Sequence, residues 1–480
     1  MNHKMIGKII SLILLVEAAF LLPGMGLCLA DGDFGAARAF VYTIGIIGVV
    51  SGALALWSRS TPRGFYAREG LVCVGMSWLF MSLLGCLPFF LSGEIPNYID
   101  ALFEMVSGFT TTGASILSDV EALPRGILLW RSFSHWIGGM GVLVFMMAVM
   151  PMCGDHSMHI MRAEFPGPTV GKLVPRARQT ALLLYLIYIF LTAADTVLLM
   201  LGGMSFYDAL LHSFAIAGTG GFSTYTLSVG SFGSLYIELV ISISLIIYSI
   251  NFNLHYMLLI GRVKTVLKSE ELRFFLGTII VATLLVALNL RADFGAVGAL
   301  RHAFFAVSNM VSTASFSTLD YTQWPQFTQW VLLMLMFVGA CAGSTGGGLK
   351  ASRFIMLVKS AASDVRRMIH PRRVTRIQLD GSRVESGTLK AVYTYFLIYV
   401  LIIVAGTMVV SLDDYDMTTN FTAALACISN IGPGMGQIGP ASCFNIFSTP
   451  VKMALSVIML FGRLELYPIL AFFAPTTWRK

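Results

Sequence analysis

Long apolar runs separated by short polar segments dominate the chain. About 20 consecutive apolar residues are enough for a helix to cross roughly 30 Å of hydrocarbon. We predict ten spans from these runs, at about 6–29, 38–57, 70–92, 126–152, 179–202, 233–260, 274–291, 328–358, 390–411 and 449–474. The pattern predicts an all-α membrane protein with about ten transmembrane helices.

Basic residues concentrate in every second connection between these spans. Arg59, Arg63 and Arg68 follow the second span, and the segment from Arg366 to Arg376 follows the eighth. Positively charged connections stay on the cytoplasmic side of a membrane. With ten spans, this rule predicts that both termini are cytoplasmic. The segment from Arg366 to Arg376 is equally consistent with a topology signal and with a surface for a partner.

Four of the opposite, outward connections share a second pattern, a short apolar segment followed by a turn rich in Gly, Thr or Ser. Aligned on Gly113, Gly221, Ser315 and Gly432, these segments recur at intervals of 108, 94 and 117 residues. Internal repeats define an architecture, here helix, re-entrant pore helix, turn and helix, four times. The predicted divisions are an N-terminal two-helix hairpin at 1–60 and pore repeats at 61–165, 166–265, 266–375 and 376–480.

Four re-entrant turns in one chain indicate an ion pathway. Non-helical backbone at membrane depth is tolerated only where it is buried in protein or lines a water-filled path. Glycine adopts left-handed backbone angles that let successive carbonyls point the same way, and rings of carbonyl oxygens replace the hydration shell of a monovalent cation. The negative C-terminal ends of the re-entrant helices favour the same charge. We therefore expect the turns to meet on a common axis.

Composition narrows the function classes further. Hydrophobic residues make up 56% of the chain and charged residues 12%, about half the usual charged share of a soluble domain. This excludes a soluble enzyme or a nucleic-acid binder, and the net charge of +7 is explained by topology. Two rival classes remain, a secondary transporter of an organic solute, with two related halves, and a membrane-embedded enzyme. Since no converging set of His, Asp or Ser is evident, we expect no enzymatic activity.

Four motifs carry a family resemblance over nearly the whole chain. They are Trp130–Gly141 (WRSFSHWIGGMG), Cys341–Lys350 (CAGSTGGGLK), Asn430–Gly434 (NIGPG) and Gly462–Leu466 (GRLEL). With them the chain resembles the superfamily of K⁺ transporters that includes TrkH, KtrB and the plant HKT proteins. The resemblance implies K⁺ uptake across the bacterial inner membrane by a homodimer, with K⁺ as the transported ion, no other cofactor, and a TrkA-like nucleotide-binding regulatory ring as cytoplasmic partner.

The resemblance also implies a K⁺ selectivity filter. Its residues are Thr111, Thr112 and Gly113 in the first repeat, Thr219, Gly220 and Gly221 in the second, Thr313, Ala314 and Ser315 in the third, and Asn430, Ile431 and Gly432 in the fourth. Ser315 stands where family members usually have Gly. A serine with positive φ would be strained, and plant relatives with Ser at one filter glycine permeate Na⁺. Less selective Na⁺/K⁺ transport, and ion symport, therefore stay open.

The eighth span is interrupted by a dense glycine run, which breaks a helix. The resemblance makes this run the intramembrane loop that gates beneath the filter, with residues Gly343, Ser344, Thr345, Gly346, Gly347 and Gly348. No Lys-Ser/Thr pair follows it, so a phosphate loop is not indicated. The nearby Lys350 belongs to the gate or snorkels to the cytoplasmic surface.

Arg463 lies within the tenth span and is a functional candidate for that reason. It either raises a barrier to cations, pairs with the glycine run, or forms a buried pair with Glu465 or a carbonyl. Glu104 and the cluster Asp413–Asp416 attract cations to an outer vestibule or are simply solvated. His156 and His159 are expected to be a solvated pair in a cytoplasmic connection.

Overall fold

The N-terminal part of the protein is a hairpin of two long apolar helices. The computed structural model describes residues 2–59, 67–141, 177–370 and 376–474. The hairpin helices are His3–Ala30 and Phe34–Trp57. The turn between them places Gly32 at φ +79°, and the Asp33 carboxylate caps the second helix by accepting the Ala36 N–H at 3.0 Å.

Sixteen further helices follow in the described ranges. Those before residue 142 are Ala67–Gly85, Leu87–Ser92, Tyr98–Phe109 and Arg125–Met140. The next are Ala177–Leu201, Phe206–Ala217, Leu235–Tyr248, Phe252–Leu259, Val263–Lys268, Glu270–Ser312, Gln326–Val338 and Ala351–Ile369. The last are Ser386–Val410, Met417–Ser429, Thr449–Arg463 and Tyr467–Phe473. Short 3₁₀ turns lie at Ser228–Phe232, Tyr321–Gln323, Ser411–Asp413, Gly436–Ile438 and Phe444–Ile446.

One small β-hairpin interrupts the helical pattern and was not predicted. Its strands are Gln378–Leu379 and Ser382–Arg383, paired antiparallel with Gln378 opposite Arg383. The turn has Asp380 at φ +50° and Gly381 at φ +75°, which is the left-handed backbone that a two-residue hairpin loop requires.

Within the described ranges, six helices are long and apolar enough to cross a membrane, and a bent pair brings the number to seven. The pair, Leu235–Tyr248 and Phe252–Leu259, bends by 94°, so the prediction of one continuous span over 233–260 is wrong. The span predicted at 449–474 is also broken, between Arg463 and Tyr467, where Glu465 and Leu466 have φ of +52° and +71°. The interruption predicted within 328–358 is confirmed. The multi-pass helical class is confirmed, and the second half of the span predicted at 126–152 lies outside the described residues.

Many large apolar side chains are exposed on the surface of the protein, and many polar side chains are buried inside it. Val49 and Leu288 are 73% and 68% exposed, whereas Thr112 and His135 are fully buried. In water, a fold that exposes apolar side chains and buries polar ones would lose the free energy that the burial of apolar surface contributes to folding. In a lipid bilayer, the apolar side chains can face the hydrocarbon, and the interior can hold hydroxyl and carbonyl groups.

Glycine contacts attach the N-terminal hairpin to the helix Arg125–Met140. A methyl group on Gly24 would come within 3.0 Å of the Gly126 carbonyl oxygen and 2.9 Å of Phe40, and one on Gly126 would overlap Cys28 and the Gly24 carbonyl. Small residues at such crossings allow two membrane helices to pack by backbone contact.

We predict that Gly126→Ala lowers the free energy of unfolding by about 1–3 kcal/mol, because the added methyl overpacks the crossing. Gly45→Ala is the matched control, since nothing lies within 4 Å of a methyl group at that lipid-facing position. Denaturant unfolding of the purified protein in detergent, followed by tryptophan fluorescence, measures both. Equal effects of the two substitutions would contradict the packing argument.

Candidate functional site

Within the described residues, four short helices or helix ends finish in the same backbone turn. The helices end at Phe109, Ala217, Ser312 and Ser429. Shortly after each end, one residue adopts the left-handed conformation: Thr111 (φ +53°), Thr219 (φ +54°), Thr313 (φ +61°) and Asn430 (φ +53°). The next N–H bonds five residues back: Thr112 to Ser107 (2.9 Å), Gly220 to Ala215 (2.9 Å), Ala314 to Asn309 (2.9 Å) and Ile431 to Ala426 (3.0 Å). This is a Schellman cap made four times.

These caps contain a signal that sequence reasoning missed. Left-handed backbone was expected at glycines, but the capping residues are Thr or Asn. Threonine is β-branched and rarely adopts positive φ, so each Thr at this position is a strained residue held by its surroundings. A repeated Thr or Asn two residues before the aligned position could have indicated the cap.

The third residue of each turn behaves as predicted in three cases and differently in one. Gly113, Gly221 and Gly432 have φ of +77°, +84° and +89°. Ser315 is not among the described residues with positive φ, so the expectation of a strained Ser315 is wrong. Its backbone avoids the left-handed region, and its side chain makes the contacts instead.

The four turns (111–113, 219–221, 313–315 and 430–432, hereafter the four turns) meet. The Ser315 Oγ lies 2.7 Å from the Thr112 carbonyl oxygen and 2.6 Å from the Ile431 carbonyl oxygen. The Asn430 amide donates to the Thr112 hydroxyl at 3.0 Å. A methyl group on Gly221 would overlap the backbone of Ser315. The first, second, third and fourth turns are thus in direct mutual contact, as the sequence predicted.

A cavity of about 200 Å³ lies against the turns, on the side from which the re-entrant helices enter. Segments of all four repeats border it, including Gly113, Gly221, Ser315 and Pro433. Its other lining residues, among them Tyr225 and Ala441, belong to connections that the charge pattern assigns to the exterior. The arrangement gives solvent a way to the carbonyl and hydroxyl oxygens of the turns.

A buried ion pair braces the first two turns. The Arg131 Nε donates to a Glu104 carboxylate oxygen at 2.7 Å, and its two terminal nitrogens donate to the Ser223 carbonyl at 3.1 Å and the Ser115 hydroxyl at 3.2 Å. Glu104 also accepts the Ile116 N–H at 2.9 Å. Both side chains are almost fully buried. Glu104 is therefore neither a vestibule charge nor a solvated one, and both predictions for it are wrong.

His212 does in the second repeat what Glu104 does in the first. Glu104 lies nine residues before Gly113, and His212 lies nine residues before Gly221. Its Nε2 is hydrogen-bonded with the Ser223 hydroxyl at 3.0 Å and its Nδ1 with the Asp208 carbonyl at 2.8 Å. These two hydrogen bonds give His212 a structural role.

The glycine run Gly343–Gly348 (hereafter the Gly loop) lies directly beneath the third turn. The Gly347 N–H donates to the Thr313 hydroxyl at 2.7 Å. A methyl group on Gly346 would come within 2.9 Å of the Ser312 carbonyl oxygen. The loop begins and ends with left-handed glycines, at φ +70° and +78°. Only residues without side chains fit this closely against the turns.

Two cationic side chains approach the Gly loop from below. Arg463 donates to the Thr345 carbonyl at 2.7 Å and to the Gly139 carbonyl at 2.8 Å. The Lys350 Nζ donates to the Gly346 carbonyl, and Lys350 is only 6% exposed. The interpretation of Lys350 as a snorkelling residue is wrong. Arg463 thus contacts one carbonyl of the loop and carbonyls of the helix Arg125–Met140, which agrees both with pairing with the glycine run and with the alternative of a carbonyl partner.

Glu465 is engaged elsewhere. It forms an ion pair with Arg353, whose guanidinium lies 4.1 Å from the centre of the Tyr395 ring.

A cavity of only about 40 Å³ remains between the Gly loop, Arg463 and the end of the helix Arg125–Met140. Little space therefore remains between these residues.

The remaining candidates fall outside this site. Asp416 caps the helix Met417–Ser429 by accepting the Thr419 N–H at 3.1 Å, and Asp413 accepts the Ser448 N–H at 2.7 Å. His156 and His159 lie outside the described residues, as does the basic stretch 371–375.

The fold and the site together define a class, a multi-pass helical membrane protein built around four re-entrant turns that meet at one point. The chain belongs to the TrkH family of cation transport proteins, whose family model matches residues 38–480.

Individual relatives match along the whole chain. The Trk system potassium uptake protein TrkH of Escherichia coli strain K12 is 37% identical over 490 residues, covering 100% of both chains. The protein of the same name from Halomonas elongata is 36% identical over 488 residues, again covering both completely. The crystal structure of the potassium transporter TrkH from Vibrio parahaemolyticus superposes with a TM-score of 0.87 at 33% identity, with full coverage of both chains.

We predict that Glu104→Gln lowers the free energy of unfolding by about 3–5 kcal/mol, because it leaves the Arg131 charge buried without its counter-ion. The exposed pair Arg125–Asp31, with side chains 52% and 32% exposed, is the control. Asp31→Asn should cost less than about 1 kcal/mol. Thermal unfolding in detergent compares the two variants, and similar losses would refute the importance of burial.

Proposed function

We propose that this protein takes up K⁺ across the bacterial cytoplasmic membrane, with both termini in the cytoplasm. The observation that carries the proposal is the meeting of four alike turns, with the Thr112 and Ile431 carbonyls around the Ser315 hydroxyl. The names of its relatives, potassium uptake proteins, support the choice of ion. In this proposal the protein carries K⁺ as cargo and catalyses no reaction.

The proposed K⁺ filter consists of the four turns, Thr111–Gly113, Thr219–Gly221, Thr313–Ser315 and Asn430–Gly432. A hydroxyl has a single proton, so Ser315 can satisfy only one of its two carbonyl neighbours at a time. The other carbonyl then faces an oxygen at hydrogen-bond distance, an arrangement that a bound cation would relieve. Oxygen-only ligation of this kind suits an alkali cation.

The proposed gate consists of the Gly loop, Arg463 and Lys350. The re-entrant helices direct the negative ends of their dipoles to the region below the turns, which favours a cation there. In this structure the protein places its own cations, a guanidinium and an ammonium, against the loop that fills that region. Displacement of the loop would remove the steric barrier. The membrane potential then suffices to drive uptake, at about 2.3 kcal/mol per charge per 100 mV.

The proposed assembly is a homodimer with a cytoplasmic, TrkA-like nucleotide-binding regulatory ring. Relatives described as Trk system proteins support a multi-component system. The basic segment from Arg366 to Arg376 is the proposed partner surface. Less selective Na⁺/K⁺ transport is the second candidate function, and the observation that favours it is the Ser315 side chain within the filter.

We predict that Arg463→Ala raises partner-free K⁺ flux into liposomes at least about tenfold. The substitution removes the charge-assisted hydrogen bond to the Thr345 carbonyl of the Gly loop, worth about 1.5–3 kcal/mol, and also removes a positive charge from the proposed path. Arg301→Ala, which removes an arginine that is paired with Glu238 away from the loop, should leave flux at the wild-type level. A silent Arg463→Ala would argue against the gate.

We predict that Ser315→Gly raises the ratio of K⁺ to Na⁺ flux several-fold. Without the hydroxyl, the Thr112 and Ile431 carbonyls both become free to bind an ion, and glycine can adopt the backbone of the other turns. The measurement is uptake of each ion into liposomes by purified protein that also carries Arg463→Ala. Ser317→Gly, two residues further along the chain, is the control. An unchanged ratio in Ser315→Gly would show that the side chain does not set selectivity.

A further inference from the structure

One carboxylate holds both ends of the segment that contains the Gly loop. The Glu271 Oε1 accepts the Ala342 N–H at 2.7 Å, just before the loop, and the Ser352 N–H at 3.0 Å, just after it. Glu271 is buried, with 7% exposure. The Ala351 N–H also donates to the Ala340 carbonyl at 3.0 Å. The base of the loop is thereby closed at a single point.

The position of Glu271 suits a negative charge. Ser352 is the second residue of the helix Ala351–Ile369, so its N–H is one of the unpaired donors at a helix N-terminus. A carboxylate there satisfies the donor and interacts favourably with the positive end of the helix dipole. The two hydroxyls of the loop are used elsewhere, since Ser344 donates to the Cys341 carbonyl and Thr345 to the Tyr248 carbonyl. The holding group therefore comes from the helix Glu270–Ser312.

The neighbouring Glu270 provides a natural comparison. It forms an ion pair with Lys359, which lies on the same helix Ala351–Ile369. Its own N–H donates to the Asp380 carboxylate of the β-hairpin at 2.6 Å. Both glutamates thus connect the start of the helix Glu270–Ser312 with the helix Ala351–Ile369. Only Glu271 touches the ends of the loop.

We propose that Glu271 is the positioning residue that fixes the Gly loop beneath the four turns. The inference rests on the proposed function of that loop as the gate. In this proposal Glu271 holds the loop and does not bind the transported ion. It acts by lowering the free energy of the loop position in which Gly347 contacts Thr313 and Thr345 contacts Arg463. Release of the Glu271 contacts removes two hydrogen bonds from the base of the loop, and shifts its population away from the blocking position.

Two readouts test the proposal in purified full-length protein reconstituted in lipid. The first is partner-free K⁺ flux, and the second is hydrogen exchange of peptides that contain the Ala342 and Ser352 amides. The variants are Glu271→Ala, the isosteric Glu271→Gln and the control Glu270→Ala. A further variant lacks Gly343–Gly348. Its shortened segment joins ends that are already hydrogen-bonded to each other, at Ala340 and Ala351.

We expect Glu271→Ala to raise flux at least tenfold and to accelerate exchange in the peptides around the loop. We expect Glu271→Gln, which keeps an acceptor oxygen, to lie between it and wild type. Glu270→Ala should match wild type in both readouts. Unchanged exchange outside residues 340–352 shows that each variant is folded. If Glu271→Ala unfolds, the comparison with wild type uses Glu271→Gln.

The outcomes separate this inference from the proposed gate. If the loop deletion raises flux and neither Glu271 variant does, the gate stands and the role of Glu271 is wrong. Faster exchange without higher flux also overturns that role. If Glu270→Ala raises flux as much as Glu271→Ala, the effect belongs to the helix start and the inference fails. If no variant, the deletion included, raises flux, the gate itself is wrong and the inference falls with it.

Discussion

The whole centre of this protein depends on one requirement, that backbone N–H and C=O groups at membrane depth find partners within the chain. Helices meet it automatically, whereas the four turns and the Gly loop do not. Each turn satisfies its first free groups by the same bond to a carbonyl five residues back. Other backbone N–H groups near the turns are paired with side chains. The Glu104 carboxylate accepts the Ile116 N–H, and the Thr313 hydroxyl accepts the Gly347 N–H. Buried polar residues are therefore concentrated around the turns.

This requirement explains which parts could be predicted from the sequence. Helical spans and the four-fold repeat were predictable, because they depend on local hydrophobicity and on glycines at fixed offsets. Gly113, Gly221 and Gly432 were located correctly for that reason. The Glu104–Arg131 pair was not, because it joins residues from two helices and its burial depends on tertiary packing. Lys350 was misassigned for a related reason, since a lysine near a predicted helix end snorkels unless a carbonyl, here that of Gly346, is within reach.

The breaks in predicted helices have the same physical origin. The bend of 94° between Leu235–Tyr248 and Phe252–Leu259 exposes backbone groups, and the neighbouring Gly-loop segment uses them. The Tyr248 carbonyl accepts from the Thr345 hydroxyl at 3.3 Å, and the Phe252 N–H donates to the Gly343 carbonyl at 3.0 Å. Each of the two interrupted segments thus supplies hydrogen-bond partners for backbone groups of the other. Hydropathy alone predicts one continuous span here, because it reports the length of an apolar run and not the hydrogen bonds across it.

The four turns are alike in backbone and unlike in side chains, and the difference carries meaning. The first two are held from behind by Glu104 and His212, which fix the serines beyond them. The aligned positions of the third and fourth repeats, Ala306 and Ala423, offer only methyl groups. In the third repeat, Ser315 instead makes its contacts forward, to the carbonyls of two other turns. The Ser315 hydroxyl thereby uses carbonyl oxygens of the first and fourth turns that an ion would need. The third turn is therefore where the demands of folding and of ion binding compete most directly.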